Sequence, residues 1–126
     1  MCEKKDETYC GYDIVFQGKA VVAHLEDAHP RERRTYVVEV DRIFWSKISS
    51  VGTILDLNTA KEGNRCGAKF QLNTPYVIAA NEVEKGGLLS TGLCSGNKRW
   101  NRLHVNRQMF FTDRLQKLCA PHKHLD

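Results

Sequence analysis

The sequence predicts a single domain, residues 1–126, made mainly of β-strands with a helix at its C-terminal end. Five or six short segments rich in β-branched and aromatic residues follow one another, separated by turn-forming residues and with no helical pattern between them. This spacing is typical of a small antiparallel barrel or sandwich. Helical spacing of apolar residues begins only after Ser95-Gly96-Asn97. A chain of 126 residues is long enough to bury a core of its own.

The first two predicted strands are the longest. Residues 13–24 are bounded by turn formers, and Gly18 within them marks a bulge or bend. Residues 25–34 are charged and contain Pro30, which predicts a connection. The second strand covers residues 35–44, and its alternation places on one face Tyr36, Val38 and Val40, with Arg42 as the next position of that face.

Three further strands follow. The third is predicted over Val51–Leu57, and the loop after it, residues 58–67, ends at Cys66-Gly67. The fourth covers Tyr76–Val83 and follows a proline, which is tolerated at the first position of a strand. Lys85-Gly86-Gly87 then predicts a hairpin turn into a fifth strand, Leu88–Cys94.

The C-terminal segment is predicted to be helical. Thr112 is a candidate N-cap for a helix in which Leu115 and Leu118 share a face and which ends at Cys119. A shorter helical piece covers Asn106–Phe111. The large aromatic residues are expected to be packing residues: Phe110 and Phe111 against this helix, and Phe44, Trp45 and Tyr76 inside the barrel.

The net charge of +4 is concentrated in two clusters of basic residues. Such clusters are most often solvated loop charge, and the alternative is a surface for a polyanion such as a glycosaminoglycan. One cluster contains Arg31, Arg33 and Arg34, and the other contains Lys98, Arg99, Arg102 and Arg107. The candidates for polyanion binding are all of these residues except Arg107. No nucleic-acid module is recognisable, so nucleic acid is not an expected partner. The longest apolar runs have the length of a strand, so insertion into a membrane is not expected either.

Five cysteines are spread along the chain, at Cys2, Cys10, Cys66, Cys94 and Cys119. No Cys-x-x-Cys pair occurs, so neither a metal site nor a cofactor is expected. A disulfide framework explains the wide spacing better, because closing loops of about 50–110 residues contributes about 4–5 kcal/mol per bridge. Disulfides persist in oxidising compartments. We therefore expect a secreted, extracellular protein in which Met1 stands in place of a removed secretion signal.

An ordered set of segments runs along the chain: Cys10 with the strand through Lys19-Ala20, Tyr36–Val40 with Phe44-Trp45, Cys66-Gly67, Tyr76–Ala80, Gly92-Leu93-Cys94, Trp100 with Leu103, and Leu115–Cys119. This order resembles that of netrin-like domains, in particular the N-terminal domain of tissue inhibitors of metalloproteinases. The resemblance covers nearly the whole chain and rests on an ordered set, because no single motif in it is specific. It implies an OB-like barrel of five or six antiparallel strands with flanking helices, in a secreted protein that is not an enzyme.

The resemblance also implies a pattern of disulfides. Mature inhibitors of that family begin with Cys-x-Cys, and the resemblance pairs Cys10 with Cys119. This sequence has one cysteine where the family has two. Cys2 therefore matches either the first of them, with Cys66 as its partner, or the second, with Cys94. Its distance from Cys10 favours Cys94, whereas its position near the terminus favours Cys66.

In the inhibitors, the α-amine and carbonyl of the first cysteine bind the zinc of the protease, and the next side chain enters the specificity pocket. By resemblance, the protease-binding ridge here consists of Cys2 and Glu3 together with Cys66-Gly67. Two features argue against tight inhibition. Met1, if retained, places the amine on the wrong residue. The Glu3 carboxylate costs several kcal/mol in an apolar pocket, and at about 1.4 kcal/mol per tenfold this weakens binding roughly a hundredfold or more.

Two functions therefore stay open. The first is a secreted binding module that acts on a receptor or matrix partner, and short netrin-like proteins secreted by parasitic worms are associated with modulating host immunity. The second is a metalloproteinase inhibitor that uses Cys2 to chelate the zinc of the protease. We expect no catalytic residues, because the five histidines are scattered and neither a Ser/His/Asp pattern nor a carboxylate pair is present.

Overall fold

A computed structural model of the chain describes residues 5–28, 31–48, 51–60, 69–84, 88–92 and 95–123. Its strands are β1 (Ile14–Ala28), β2 (Arg31–Ser46), β3 (Ile54–Ala60), β4 (Pro75–Glu84), β5 (Leu88–Ser90) and β6 (Lys98–Arg99). Two 3₁₀-helical stretches cover Asp6–Gly11 and Trp100–Arg102. The C-terminal helix begins as α1 (Val105–Met109), passes through a π-helical stretch (Phe110–Arg114) and continues as α2 (Leu115–Lys123).

The strands form a closed five-stranded barrel because β1 pairs with two neighbours. It runs antiparallel to β2 and, over residues 14–19, antiparallel to β4. The order β1-β2-β3-β5-β4 then returns to β1, and β6 adds to β4 outside this ring. The predicted OB-like barrel with a C-terminal helix is therefore confirmed. One pairing, between β3 and β5, is parallel, since a ring with an odd number of strands cannot alternate direction at every step.

Two buried clusters lie on opposite faces of the barrel wall. Along β1, Ile14 and Phe16 point into the barrel with Tyr76, whereas Val15 points outward to the C-terminal helix. Tyr76 inside the barrel confirms the prediction for that residue. The prediction for Phe44 and Trp45 is wrong, because both pack between barrel and helix. Trp45 pairs across the strands with Val15, and paired residues share a face of the sheet.

Several element boundaries differ from those predicted. The segment 25–34, expected to be a connection, is mostly strand, because the β1–β2 ladder continues to the pair Ala28 and Arg31. A pair of strands is held together by its backbone ladder, which does not require an apolar alternation in the sequence. Downstream, β3 begins at Ile54, where pairing with Glu39 of β2 starts. Of the predicted fifth strand, residues 88–92 are described, and only β5 among them is strand.

The prediction that Thr112 caps the C-terminal helix is also wrong. The helix begins earlier, at Val105, and the His104 side chain accepts a hydrogen bond from the Asn106 amide at 3.1 Å. Thr112 lies in the π-helical stretch. A π-helical turn is wider than an α-helical one, and here it contains the consecutive residues Phe110 and Phe111. Both side chains are buried, which confirms the prediction that they are packing residues. No helix in the described part of the chain is both long and apolar enough to cross a membrane.

At Gly18, the backbone of β1 lies close to β2. The ladder shifts register between Gln17 and Gly18, which confirms the predicted bulge. A Cβ at this position would lie 2.7 Å from the Glu39 carbonyl oxygen and 3.0 Å from a methyl group of Val38. Backbone cannot move aside as a flexible side chain would. Only glycine therefore permits this pairing without a shift of the strands.

We expect Gly18→Ala to lower the free energy of unfolding by about 1–3 kcal/mol, because the added methyl group overpacks the β1–β2 interface. Urea denaturation followed by circular dichroism measures the change. Gly11→Ala is the matched control, since a Cβ at Gly11 meets no atom within 4 Å and should alter stability by about 0.5 kcal/mol or less. Equal losses in the two variants would contradict this account of Gly18.

Candidate functional site

The N-terminal segment, residues 5–11, is covalently tied to the C-terminal helix. Cys10 and Cys119 form a disulfide with a Cα–Cα distance of 5.1 Å, which is the pairing that the resemblance implied. Both cysteines are buried in the cluster between barrel and helix. The bridge joins the 3₁₀ helix Asp6–Gly11 to α2 and so fixes the first described segment of the chain.

Tyr9 gives the same segment a second attachment. Its ring packs edge-on against Phe111, with centroids 5.3 Å apart, and its hydroxyl donates a hydrogen bond to the Gly96 carbonyl at 2.8 Å. Burial raises the pKa of Tyr9 above its usual value near 10, against the opposing effect of Arg107. The phenol is thus held as a hydrogen-bond donor. The bond joins residues 5–11 to the chain just after Cys94.

Arg107 of α1 contacts the N-terminal segment from the C-terminal helix. Its guanidinium forms an ion pair with Asp6 at 2.9 Å, and its central carbon lies 4.4 Å from the centroid of the Phe110 ring. A cation over an aromatic face is attracted by the ring quadrupole. Arg107, which the sequence grouped with the basic cluster, is therefore engaged in fixing the N-terminal segment.

The chain from Thr91 to Asn97 is held by side chains against β4. The amide of Ala79 donates to the Asn97 side-chain oxygen at 2.9 Å, and its carbonyl accepts from the Thr91 hydroxyl at 2.7 Å. The side-chain amide nitrogen of Asn97 also donates to the Thr91 hydroxyl at 2.9 Å. Ala79 lies between the β5 and β6 pairings of β4. Two side chains thus take the place of a strand there.

This Thr91–Asn97 clamp was not predicted from the sequence. The segment continues with a hydrogen bond from the Gly92 amide to the Ser95 hydroxyl at 2.9 Å and with Gly96 at a φ of 84°, a conformation that favours glycine. The available signal was the cluster of Thr, Ser, Gly and Asn beside a strand. Such residues commonly bond the backbone in turns. Which backbone groups they would meet depends on the neighbouring strands.

Residues 69–74, which follow the Cys66-Gly67 segment, are anchored by two tyrosine hydroxyls at the barrel. The Phe70 amide donates to the Tyr36 hydroxyl at 3.2 Å, and the Gln71 amide donates to the Tyr76 hydroxyl at 3.0 Å. The Phe70 ring packs edge-on between the two tyrosine rings. Residues 70 and 71 are therefore also held by side chains.

The predicted ridge residues Cys2, Glu3, Cys66 and Gly67 lie outside the described residues, as does Cys94. The structure instead describes the frame beside them, at Lys5, Lys69, Gly92 and Ser95. Each of these frame positions belongs to a segment with one of the attachments above. Within the described ranges, no three His, Cys, Asp or Glu side chains are grouped so that they could hold a metal.

The predicted polyanion-binding residues differ in their surroundings. Arg31 and Arg33 lie in β2, but their side chains are outside the described set, and Arg34 is half-buried. Arg99 is engaged, because its Nε donates to the Tyr76 hydroxyl at 3.3 Å and another guanidinium nitrogen donates to the Gln71 side chain. Lys98 and Arg102 are exposed. The sequence did not indicate a further cation, Arg42, which lies beside Trp100.

Comparison with known proteins gives a match over almost the whole chain. The family model described as tissue inhibitor of metalloproteinase matches residues 2–123. The chain is also similar to metalloproteinase inhibitor 3 from Gallus gallus, with 23% identity over 114 residues, which cover 90% of this chain and 53% of that protein. The chain thus spans about half the length of this curated relative. The family match includes every described strand and helix and the Cys10–Cys119 bridge.

We expect Tyr9→Phe to lower the free energy of unfolding by about 1–2 kcal/mol at neutral pH, because the Gly96 carbonyl loses its donor. The pKa of Tyr9 is raised in the folded chain, so above about pH 10 the unfolded state releases this proton first and stability falls as pH rises. The variant should lose part of that alkaline decline. Urea unfolding at about pH 7 and pH 10.5 measures both effects. An unchanged alkaline decline would contradict the role of the phenol.

We expect one titratable thiol per chain under denaturing, non-reducing conditions. Cys10 and Cys119 are bonded, and a bridge from Cys2 to either remaining partner would leave one cysteine free. Alkylation followed by mass spectrometry identifies it as Cys66 if Cys2 pairs with Cys94, and as Cys94 if Cys2 pairs with Cys66. Five reactive thiols would contradict the framework, and none in a non-reducing dimer would indicate a bridge between chains.

Proposed function

This chain belongs to the tissue inhibitor of metalloproteinase family, and from that premise we propose that it is a secreted, non-enzymatic binding domain. It docks on an extracellular protein through its N-terminal edge, which we define as residues 2–5, the Cys66-Gly67 segment and the chain from Thr91 to Asn97. Its zinc-chelating inhibition of metalloproteinases is weak or lost.

The observation that carries this proposal is the rigid attachment of the chain next to Cys2. The Cys10–Cys119 bridge and the Tyr9–Gly96 hydrogen bond hold residues 5–11 against the barrel. The Thr91–Asn97 clamp holds a second part of the same edge. A binding edge that is ordered before it meets its partner loses less conformational entropy on association. This frame therefore supports docking on a macromolecule.

Glu3 is the reason for proposing weak inhibition. In the family pattern, the side chain that follows the chelating cysteine enters an apolar pocket of the protease. A carboxylate at this position is desolvated without a counter-charge, which costs several kcal/mol. If Cys2 corresponds to the second cysteine of the family instead, Glu3 follows the wrong cysteine and does not enter that pocket. If Cys2 is the first cysteine of the family pattern, Glu3 weakens its binding to the protease zinc. If Cys2 is the second, it does not bind the zinc.

The partner that we propose is a receptor or a matrix protein outside the cell. A bridged cysteine pair is expected in an oxidising compartment, which supports secretion. Modulation of host immunity is one activity that binding of such a receptor would serve. The second candidate function is inhibition of a metalloproteinase by Cys2, and the same rigid frame favours it, because chelation also requires a fixed N-terminus.

We expect protein whose amino-terminal residue is Cys2, confirmed by mass spectrometry, to leave a panel of zinc metalloproteinases uninhibited at micromolar concentration. Under the first assignment of Cys2, Glu3→Thr should then strengthen inhibition by roughly a hundredfold, because the carboxylate no longer enters the pocket. Initial-rate assays with a fluorogenic peptide substrate measure the inhibition constants.

Glu7→Thr is the matched control, since Glu7 is exposed in the 3₁₀ helix of the N-terminal segment. It should leave every inhibition constant unchanged. Tight inhibition by the unaltered Cys2 protein would contradict the proposal and establish the second candidate function. If Glu3→Thr also fails to inhibit, Cys2 corresponds to the second cysteine of the family pattern. The partner is then a protein other than a metalloproteinase.

A further inference from the structure

The C-terminal helix covers one wall of the barrel and leaves another wall exposed. The helix packs on residues that include Val15 of β1, Trp45 of β2 and Ala79 of β4. Among the residues that the structure describes, no helix packs on the outer face of β3 or on the parts of β1 and β2 beside it. Two aliphatic residues on that face, Val22 and Ile54, are 41% and 60% exposed.

Strand pairing collects the outward side chains of this exposed wall into one patch. Two adjacent rows across β1, β2 and β3 point outward: Val22, Val37 and Asp56 in one, and Lys19, Glu39 and Ile54 in the other. Paired residues share a face of the sheet. The residues between the two rows, Val38 of β2 and Leu55 of β3, point into the barrel. We call the six outward residues the outer patch.

The outer patch combines exposed aliphatic groups with charges of both signs. Ile54 is the most exposed large apolar residue in the described part of the chain. Lys19 and Glu39 form an ion pair at 4.0 Å, and their side chains are 40% and 48% exposed. An exposed pair of this kind contributes little, so the Lys19 ammonium can interact with a second carboxylate. Asp56 is exposed, and no cation among the described residues lies at ion-pair distance from it.

The positions of Lys19 and Asp56 make the outer patch complementary to itself. The two residues lie on opposite sides of β2 and in different rows, which places them roughly 12 Å apart. A two-fold axis parallel to the sheet, above β2 and perpendicular to the line between them, exchanges their positions. Lys19 of each copy then faces Asp56 of the other copy, so a symmetric pair of chains contains two new ion pairs. The aliphatic side chains of the two copies meet between these ion pairs.

We propose that the outer patch is the interface of a weak symmetric homodimer. A second copy of this chain supplies both the apolar surface and the charges that the patch requires. Most oligomers of identical chains are symmetric, and in a two-fold dimer each copy contributes the same surface. The patch is three strands wide and about five residues long, which is roughly 10 Å by 17 Å. An interface of this size is below the standard range, so we expect a dissociation constant of roughly 10 µM to 1 mM.

The dimer goes beyond the proposed function and uses no residue of the N-terminal edge. Failure of either proposal therefore leaves the other unaffected. The consequence of the dimer for activity does rest on the proposed docking. A dimer carries two N-terminal edges, and two linked edges bind a clustered receptor with greater avidity than a single edge.

The first test measures self-association by analytical ultracentrifugation from about 10 µM to 1 mM. The unaltered protein, with free thiols alkylated under native conditions, should show a reversible equilibrium between monomer and dimer. Ile54→Glu should weaken the dimer roughly tenfold or more, because the interface desolvates an unpaired carboxylate. Val105→Glu is the matched control, since Val105 is 57% exposed and belongs to α1. It should change the dissociation constant by roughly twofold or less.

The second test uses the symmetry of the interface. In a dimer of Lys19→Glu two carboxylates face each other at each former ion pair, and in a dimer of Asp56→Lys two ammonium groups do so. Each variant alone should therefore dimerise roughly tenfold more weakly than the unaltered protein. A mixture of the two variants should form a heterodimer with an affinity within roughly threefold of the original. In that heterodimer the introduced carboxylate faces the introduced ammonium, and the original Asp56 of one chain faces the original Lys19 of the other.

Several outcomes would reject this interface. A monomer at every concentration would do so, as would equal weakening by Ile54→Glu and Val105→Glu. Association that continues beyond the dimer would mean head-to-tail contacts instead, and a dimer that withstands dilution would mean a covalent bridge between chains. A mixture of the two charge variants that stays monomeric would exclude the two-fold arrangement. Circular dichroism of each variant confirms that every comparison is between folded proteins.

Discussion

The pairing of β1 with two strands at once is the constraint on which the rest of the structure depends. By bonding β2 along one edge and β4 along the other, β1 turns an open sheet into a barrel. Its alternate residues then face either the barrel interior or the C-terminal helix, which creates the two buried clusters. Closure with five strands also requires one parallel neighbour pair, β3 and β5. The double pairing of β1 depends in turn on Gly18, since a larger residue would meet the Glu39 carbonyl.

Side chains complete the backbone hydrogen bonding at two places in the described part of the barrel. Buried backbone amides and carbonyls must find partners, and Thr91 and Asn97 supply them at Ala79. Hydroxyls of Tyr36 and Tyr76 do the same for residues 70 and 71. These bonds fix the positions from which the chain leaves the barrel toward Cys66 and Cys94. The frame of the N-terminal edge is thus a consequence of satisfying the barrel's own backbone.

The scaffold and the function of this domain depend on different residues. Membership in the metalloproteinase inhibitor family accounts for the barrel, the helix and the Cys10–Cys119 bridge. A fold by itself does not specify an activity, and the function that we propose depends on the residue after Cys2. Arg99 and Arg107 illustrate the difference. Both belong to a basic cluster in sequence, yet both are engaged in fixing chain segments.

The sequence by itself determined the class of fold, most strands, the bulge at Gly18 and the aromatic packing of the C-terminal helix, because alternation, turn residues and apolar spacing are local signals. The resemblance added the bridge between Cys10 and Cys119. Only the tertiary structure decided that β3 and β5 run parallel, that Phe44 and Trp45 lie outside the barrel, and that Arg42 lies beside Trp100. It also decided that Tyr9 bonds to Gly96. Each of these features depends on which distant strands become neighbours when the barrel closes. The local spacing of apolar and turn-forming residues does not determine that.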